Sequence, residues 1–199
     1  MPGRLDGKVA LVTGASSGIG EATALALAAE GARIAAAARR SDRLDALVKR
    51  IAESGGQALP LVVDVANEAQ VRAMVQRTRE TWGRIDILIN DAGVAHLGLI
   101  DGANTEDWRE MVNVNLMGVM YATHAVLPLM KAQGSGHIVN VSSVAGRTAS
   151  AGGAVYNATK WGVGAFSEAL RQEVAPEHIR VTVIEPGAVD TDMQRAVTD

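Results

Sequence analysis

Six short apolar runs recur along this chain, each ending in glycine or small polar residues, and stretches with apolar residues every three or four positions separate them. The runs are KVALVTG (8–14), RIAAAAR (33–39), ALPLVVDV (58–65), IDILIND (85–91), HIVNVSS (137–143) and RVTVIEPG (180–187). Continuous apolar character, rather than apolar–polar alternation, is the mark of strands buried on both faces of a parallel sheet. Between the runs the period lengthens to that of helices. Ser41 is an N-cap candidate before Leu44, Leu47, Val48 and Ile51, with Gly55 and Gly56 as the stop. Asn67 is placed to cap a helix carrying Val71, Met74, Val75 and Trp82. Another begins near Asn104 or Thr105 and runs past Trp108, Met111, Val112, Leu116 and Val119. A further one holds Tyr156 to Val174 and ends at Pro176.

Strand and helix alternating throughout predict an α/β fold, a doubly wound parallel sheet with helices on both faces. With no repeat, low-complexity tract or linker, residues 1–199 are expected to form one domain. Composition narrows the partners. Hydrophobic residues make up 48% and charged ones 21%, as in a globular chain with a sizeable core. Net charge is −3 and lysines and arginines form no patch, so nucleic acid is not an expected partner. Cysteine is absent, which removes disulfides and thiolate metal sites and makes a reducing cytoplasm the expected compartment. No run approaches the roughly 20 apolar residues of a membrane span.

In such sheets ligands bind beyond the carboxyl ends of the strands, so the residues there carry the chemistry. The first run opens a helix through Gly14, Ser16, Ser17, Gly18, Ile19 and Gly20. Glycines at such a turn let backbone approach a pyrophosphate, and the helix N-terminus supplies N–H groups and positive dipole. The spacing G-x-x-x-G-x-G differs from the usual dinucleotide fingerprint, and a ligand-free turn is the plain alternative. The second run ends Ala38, Arg39, Arg40, without the acidic residue that would bind a ribose 2′-hydroxyl. The arginines suit a 2′-phosphate, hence NADP(H), or form a solvated basic pair. Asp64 either accepts from an adenine amino group or caps the following helix. Asn90, Asp91, Ala92 and Gly93 end the fourth run, Ser142 and Ser143 the fifth, and Pro186, Gly187 and Thr191 follow the sixth. Tyr156 and Lys160 lie one helical turn apart on one face. They are either a helix surface or a phenol whose proton is managed by an ammonium; a nearby cation lowers a phenol from its usual value of about 10. Asn115, in NVNLMG, suits an apolar helix interior poorly and is either a satisfied core amide or part of the same constellation.

Together TGASSGIG, NDAG, Asn115, Ser143, YNATK and PGAVDT, in that order and spacing over essentially the whole chain, resemble the short-chain dehydrogenase/reductase family. The runs AAARRSDRL, AGGAVYNATK and VIEPG are similar to NADP-preferring members of the clavaldehyde reductase and serine/3-hydroxy acid dehydrogenase kinds. The resemblance implies a Rossmann fold and an NADP(H)-dependent oxidoreductase acting on a small carbonyl or alcohol substrate. It implies a tetrad of Asn115, Ser143, Tyr156 and Lys160. In it Tyr156 is the acid/base, Ser143 polarises the carbonyl, Lys160 lowers the phenol and binds the nicotinamide ribose, and Asn115 holds a water. It assigns Asp64 and Val65 to the adenine, Arg39 to NADP preference and Thr191 to the carboxamide, and it implies a homodimer or homotetramer. A non-catalytic NADP(H)-binding protein is the alternative. Two departures stand out: Asp91 replaces the second Asn of N-N-A-G, and the chain stops after strand six. The expectation is that residues 1–199 are C-terminally incomplete and lack the family's last strand.

Overall fold

Each apolar run is a strand in the computed structural model, which describes residues 3–193, and each strand is shorter than its run because the polar ends continue as loops. The strands are β1 (Val9–Thr13), β2 (Arg33–Ala38), β3 (Ala58–Val62), β4 (Ile87–Asn90), β5 (Gly136–Val141) and β6 (Ile179–Ile184). The helices are α1 (Gly18–Ala29), α2 (Ser41–Glu53), α3 (Glu68–Trp82), α4 (Thr105–Val112), α5 (Gly118–Gln133) and α6 (Ala154–Val174). All the strand pairs are parallel, in the order β3-β2-β1-β4-β5-β6. This is the Rossmann order, with β6 at one edge of the described sheet. The order reverses between β1 and β4, where a crevice opens beyond the strand ends.

Two apolar layers clamp the sheet. Ala10, Val12, Ile34 and Ala36 meet Ala24 of α1 and Leu44, Leu47 and Ile51 of α2 on one face. Leu11, Ala35, Leu88 and Ile138 meet Met74, Val126, Met130, Leu170 and Val174 of α3, α5 and α6 on the other. Successive residues of β1 thus bury on opposite faces, which is why its run is apolar throughout. Among the described residues no helix is long and apolar enough to cross a membrane.

Three boundaries differ from expectation. Arg40, not Ser41, is the N-cap of α2, and Ser41 is its first residue. β3 ends at Val62 rather than at 65; it is an edge strand, which is where Pro60, lacking an N–H, can be accommodated. The single helix expected from Asn104 past Val119 does begin where predicted, with the Asn104 side chain accepting from Glu106 N at 3.1 Å. It is then interrupted by a π-helical turn over Asn113–Met117 before continuing as α5.

Candidate active site

A cleft of about 660 Å³ lies over the carboxyl ends of the strands at the β1/β4 crevice. Its floor is the turn from β1 into α1. Gly14 has φ 72°, and a Cβ there would lie 2.7 Å from Ala92 N. A Cβ on Gly20 would lie 2.4 Å from the Gly14 carbonyl oxygen and 2.7 Å from Asp91 Oδ2. The glycines therefore bring the helix start hard against the ends of β1 and β4. No side chain caps α1: Ser17, at its N-cap, makes no cap bond and accepts instead from Arg40 Nη2 at 2.5 Å. An N-terminus left uncapped by side chains at the bottom of a cleft is suited to an anion.

At one end of the cleft stand Arg39, Arg40, Asp64 and Val65. Arg40 also donates to Ser16 Oγ at 3.2 and 3.1 Å, and with Arg43 it reaches Asp192 at 3.3 and 3.5 Å. Arg39 pairs with Glu110 at 3.4 Å, and the other Glu110 oxygen lies 2.8 Å from His96 Nε2. Asp64 Oδ1 accepts from Ala66 N at 3.0 Å, so it shapes the turn before α3 while lining the cleft. Asn67 is the cap of α3, as its position predicted.

At the other end the loop after β5 brings Ser143 close to the half-buried Tyr156. Ser143 Oγ also accepts from Ala145 N at 3.1 Å. Lys160 is 5% exposed; its Nζ donates to the Val141 carbonyl at 2.9 Å and lies 5.7 Å from the Tyr156 ring centre. Burial raises the phenol above its usual value, and the neighbouring Ser143 opposes that rise. The direction is opposite to the one expected from a neighbouring ammonium, because the phenol's loss of solvent outweighs what favours the phenolate. Burial lowers Lys160 to about 8, against the pull of Asp91.

Most residues singled out in the sequence line this one cleft: Gly14, Ser16, Ser17, Gly18, Ile19, Ala92, Gly93, Ser143, Tyr156, Lys160, Pro186, Gly187 and Thr191 among them. Thr191 covers Gly18, whose Cβ would lie 3.0 Å from its methyl group. Gly20, Asn90 and Asn115 do not line it. Gly20 works by its lack of bulk. The Asn90 side chain faces the core, donating to Asn140 Oδ1 at 2.8 Å and Thr123 Oγ1 at 3.3 Å. Asn115 is fully buried in the π-helical turn; its amide accepts from Val94 N and donates to Val94 O, both at 2.8 Å, and donates to Thr159 Oγ1 at 3.3 Å. It clamps the strand-end loop to the helix that leads from it. Glu110, His96 and Asp192 escaped the sequence reading; as polar residues on exposed surface they carry no periodic signal. Among the described residues no cluster of His, Asp or Glu is arranged to hold a metal.

A sequence model of the short chain dehydrogenase family matches residues 8–199. An uncharacterized oxidoreductase of Listeria innocua is 42% identical over 194 residues, covering 96% of this chain and 78% of the relative. The 3-oxoacyl-[acyl-carrier-protein] reductase of Thermotoga maritima is 42% identical over 190 residues, covering 96% of this chain and 77% of that protein. Among solved structures, levodione reductase superposes with a TM-score of 0.94 at 36% identity, over 97% of this chain and 76% of its own. NAD+-bound xylitol dehydrogenase superposes with a TM-score of 0.90 at 34% identity, over 92% and 71%.

Proposed function

This chain belongs to the short-chain dehydrogenase family, an oxidoreductase family using nicotinamide cofactors, and from that premise we propose that it is an NADP(H)-dependent enzyme interconverting a carbonyl and an alcohol. One observation carries the reading: Ser143, Tyr156 and Lys160 line the same cleft as the glycine turn. The residues fit a dinucleotide, since a Cβ on Gly14 or Gly20 would fill the space in which the turn closes on α1. The bound nicotinamide supplies or accepts hydride. Gly14 to Ile19 hold the pyrophosphate end. Arg39 and Arg40 receive a 2′-phosphate, and Ala38 presents no acid to a 2′-hydroxyl.

The chain's own work is to hold the carbonyl and move a proton. Ser143 Oγ and Tyr156 Oη, close together in the cleft, are the pair that binds a substrate oxygen. Tyr156 gives its proton to that oxygen in reduction and takes it back in oxidation. A phenol raised by burial stays protonated at neutral pH, which suits the donor in the reductive direction. Lys160 supplies positive charge beneath the ring and stabilises the phenolate left behind. Asn115 keeps the loop at Val94 in register with α5. Exposed Val112 and Trp161, 39% and 51% accessible, lie on α4 and α6, and we assign those helices to a homodimer or homotetramer interface. We place the enzyme in the cytoplasm on its lack of cysteine.

The test is NADPH and NADH oxidation with a panel of aldehydes and ketones, beside direct titration of both coenzymes. Turnover with NADPH preferred is the expected result. NADPH binding without turnover on any carbonyl leaves the non-catalytic reading, and equal use of both coenzymes removes the NADP assignment.

A further inference from the structure

We propose that Asp91 is a positioning residue for the proton-transfer centre, a carboxylate on the strand end next to the one that holds Lys160, whose charge keeps this buried ammonium charged beneath the tyrosine; this rests on the role given to Lys160 above. The strand register brings the two together. Asn90 pairs with Asn140, so the next positions on the two strands are Asp91 and Val141. The Val141 carbonyl is the group that takes the Lys160 ammonium. Asp91 and the carbonyl that takes the ammonium therefore stand at adjoining strand ends, and Asp91 and Lys160 line one cleft.

Asp91 is held there from two sides. Its own N–H and that of Ala92 donate to Thr13 Oγ1 at 3.2 and 3.3 Å. On the other side Gly20 packs against the carboxylate, where a Cβ on Gly20 would lie 2.7 Å from Asp91 Oδ2. Of the elements around Asp91, the ends of β1 and α1 present Thr13, Gly14 and Gly20, none of them ionisable; α6 presents Lys160, with Tyr156 one turn before it. The charge acting on Asp91 among the described residues is therefore that of Lys160.

A lysine with 5% of its surface exposed has lost its hydration, which favours the neutral amine. A neighbouring carboxylate restores the balance toward ammonium. Burial raises Asp91 to about 6, opposed by Lys160 and the Gly20 N–H, and burial lowers Lys160 to about 8, opposed by Asp91. Each group thus favours the charged form of the other. An asparagine, which the family pattern has at this position, is neutral and cannot hold the ammonium this way.

The experiment is an NMR titration of the cofactor-free protein carrying 13Cε-labelled lysine, with the Lys160 signal identified by its loss in Lys160→Met. In the isosteric Asp91→Asn the Lys160 midpoint is expected to fall by about one pH unit. The alkaline limb of the reduction rate should move down by the same amount. In Lys160→Met the Asp91 carboxyl, followed by 13Cγ, should titrate higher than in the wild type. Midpoints that stay put in both variants overturn the proposal. So does a shifted Lys160 midpoint with an unmoved rate profile, which would leave Asp91 no part in catalysis. Reciprocal shifts in a protein that turns over no carbonyl would uphold the charge pairing and refute the oxidoreductase reading instead.

Discussion

Replacing Gly20 by alanine sets two opposing effects against each other, and the structure says which wins where. Gly20 is helical, and alanine in a helix interior is favoured over glycine by about 1 kcal/mol. The added Cβ, however, would lie 2.4 Å from the Gly14 carbonyl oxygen and 2.8 Å from the Gly14 carbonyl carbon. Both are backbone atoms, and the first gap falls about 1 Å short of ordinary contact. Such overpacking costs about 1–3 kcal/mol, so net stability should drop by about 0–2 kcal/mol. The larger effect is on the coenzyme. To relieve the clash α1 must withdraw from the turn, carrying its N–H groups out of reach of the pyrophosphate. Losing one hydrogen bond to a charged acceptor, about 1.5–3 kcal/mol, weakens NADPH binding by about 10- to 100-fold. Urea unfolding of the cofactor-free protein and fluorescence titration of NADPH measure the two effects separately. Gly164→Ala is the control: Gly164 lies in α6 and a Cβ there meets nothing within 4 Å, so it should gain stability and leave NADPH binding alone. If Gly20→Ala behaves like Gly164→Ala, the reasoning about the cradle is wrong.

Tyr156→Phe should lower turnover by about 10²- to 10⁴-fold while NADPH binding persists; unchanged turnover would remove the proton-transfer role. Arg39→Asp should weaken NADPH more than NADH, whereas Glu110→Gln, which releases Arg39 from its pair, should tighten NADPH; competitive titration of both coenzymes tests each. Asp86→Asn tests the base of the sheet. Burial alone would raise that carboxyl, but hydrogen bonds from Arg84 and Val9 N, with the charges of Arg84 and Lys8, outweigh it and hold it below its usual value. Because folding lowers its pKa, its contribution is full above the unfolded value of about 4 and is lost as pH falls through the folded value. The variant should be about 1–3 kcal/mol less stable at neutral pH and should converge with the wild type in acid; a pH-independent gap in urea unfolding would contradict this.

The strands and the cleft were legible because parallel strands buried on two faces must be apolar and must end where the chain turns polar. The glycine turn, Ser143, Tyr156 and Lys160 sit at such ends, and a single spatial rule collects them. The same double burial hides orientation. β4 is apolar on both sides, so nothing in ILIN says which face Asn90 takes, and its turn toward Asn140 had to be seen. The direction of the Tyr156 shift was hidden in how deeply the fold buries the phenol, which one-turn spacing does not determine. Arg39 and Glu110 lie 71 positions apart, and neither has a local pattern that announces the other.

The π-helical turn at Asn113–Met117 also sets a limit on how this chain can change in length. A π-helical turn carries one residue more than an α-helix of the same span, and deleting one residue there lets α4 and α5 fuse into a regular helix. The fused helix would gain local regularity. The flanking helices would keep their register, and what would change is the direction in which the residues of the turn itself point. Asn115 would swing off Val94, and the loop that leaves β4 would lose its anchor. A deletion that costs little in folding is thus expected to abolish turnover, so that insertions and deletions are tolerated at surface turns such as Asp101–Gly102 but not within these five residues.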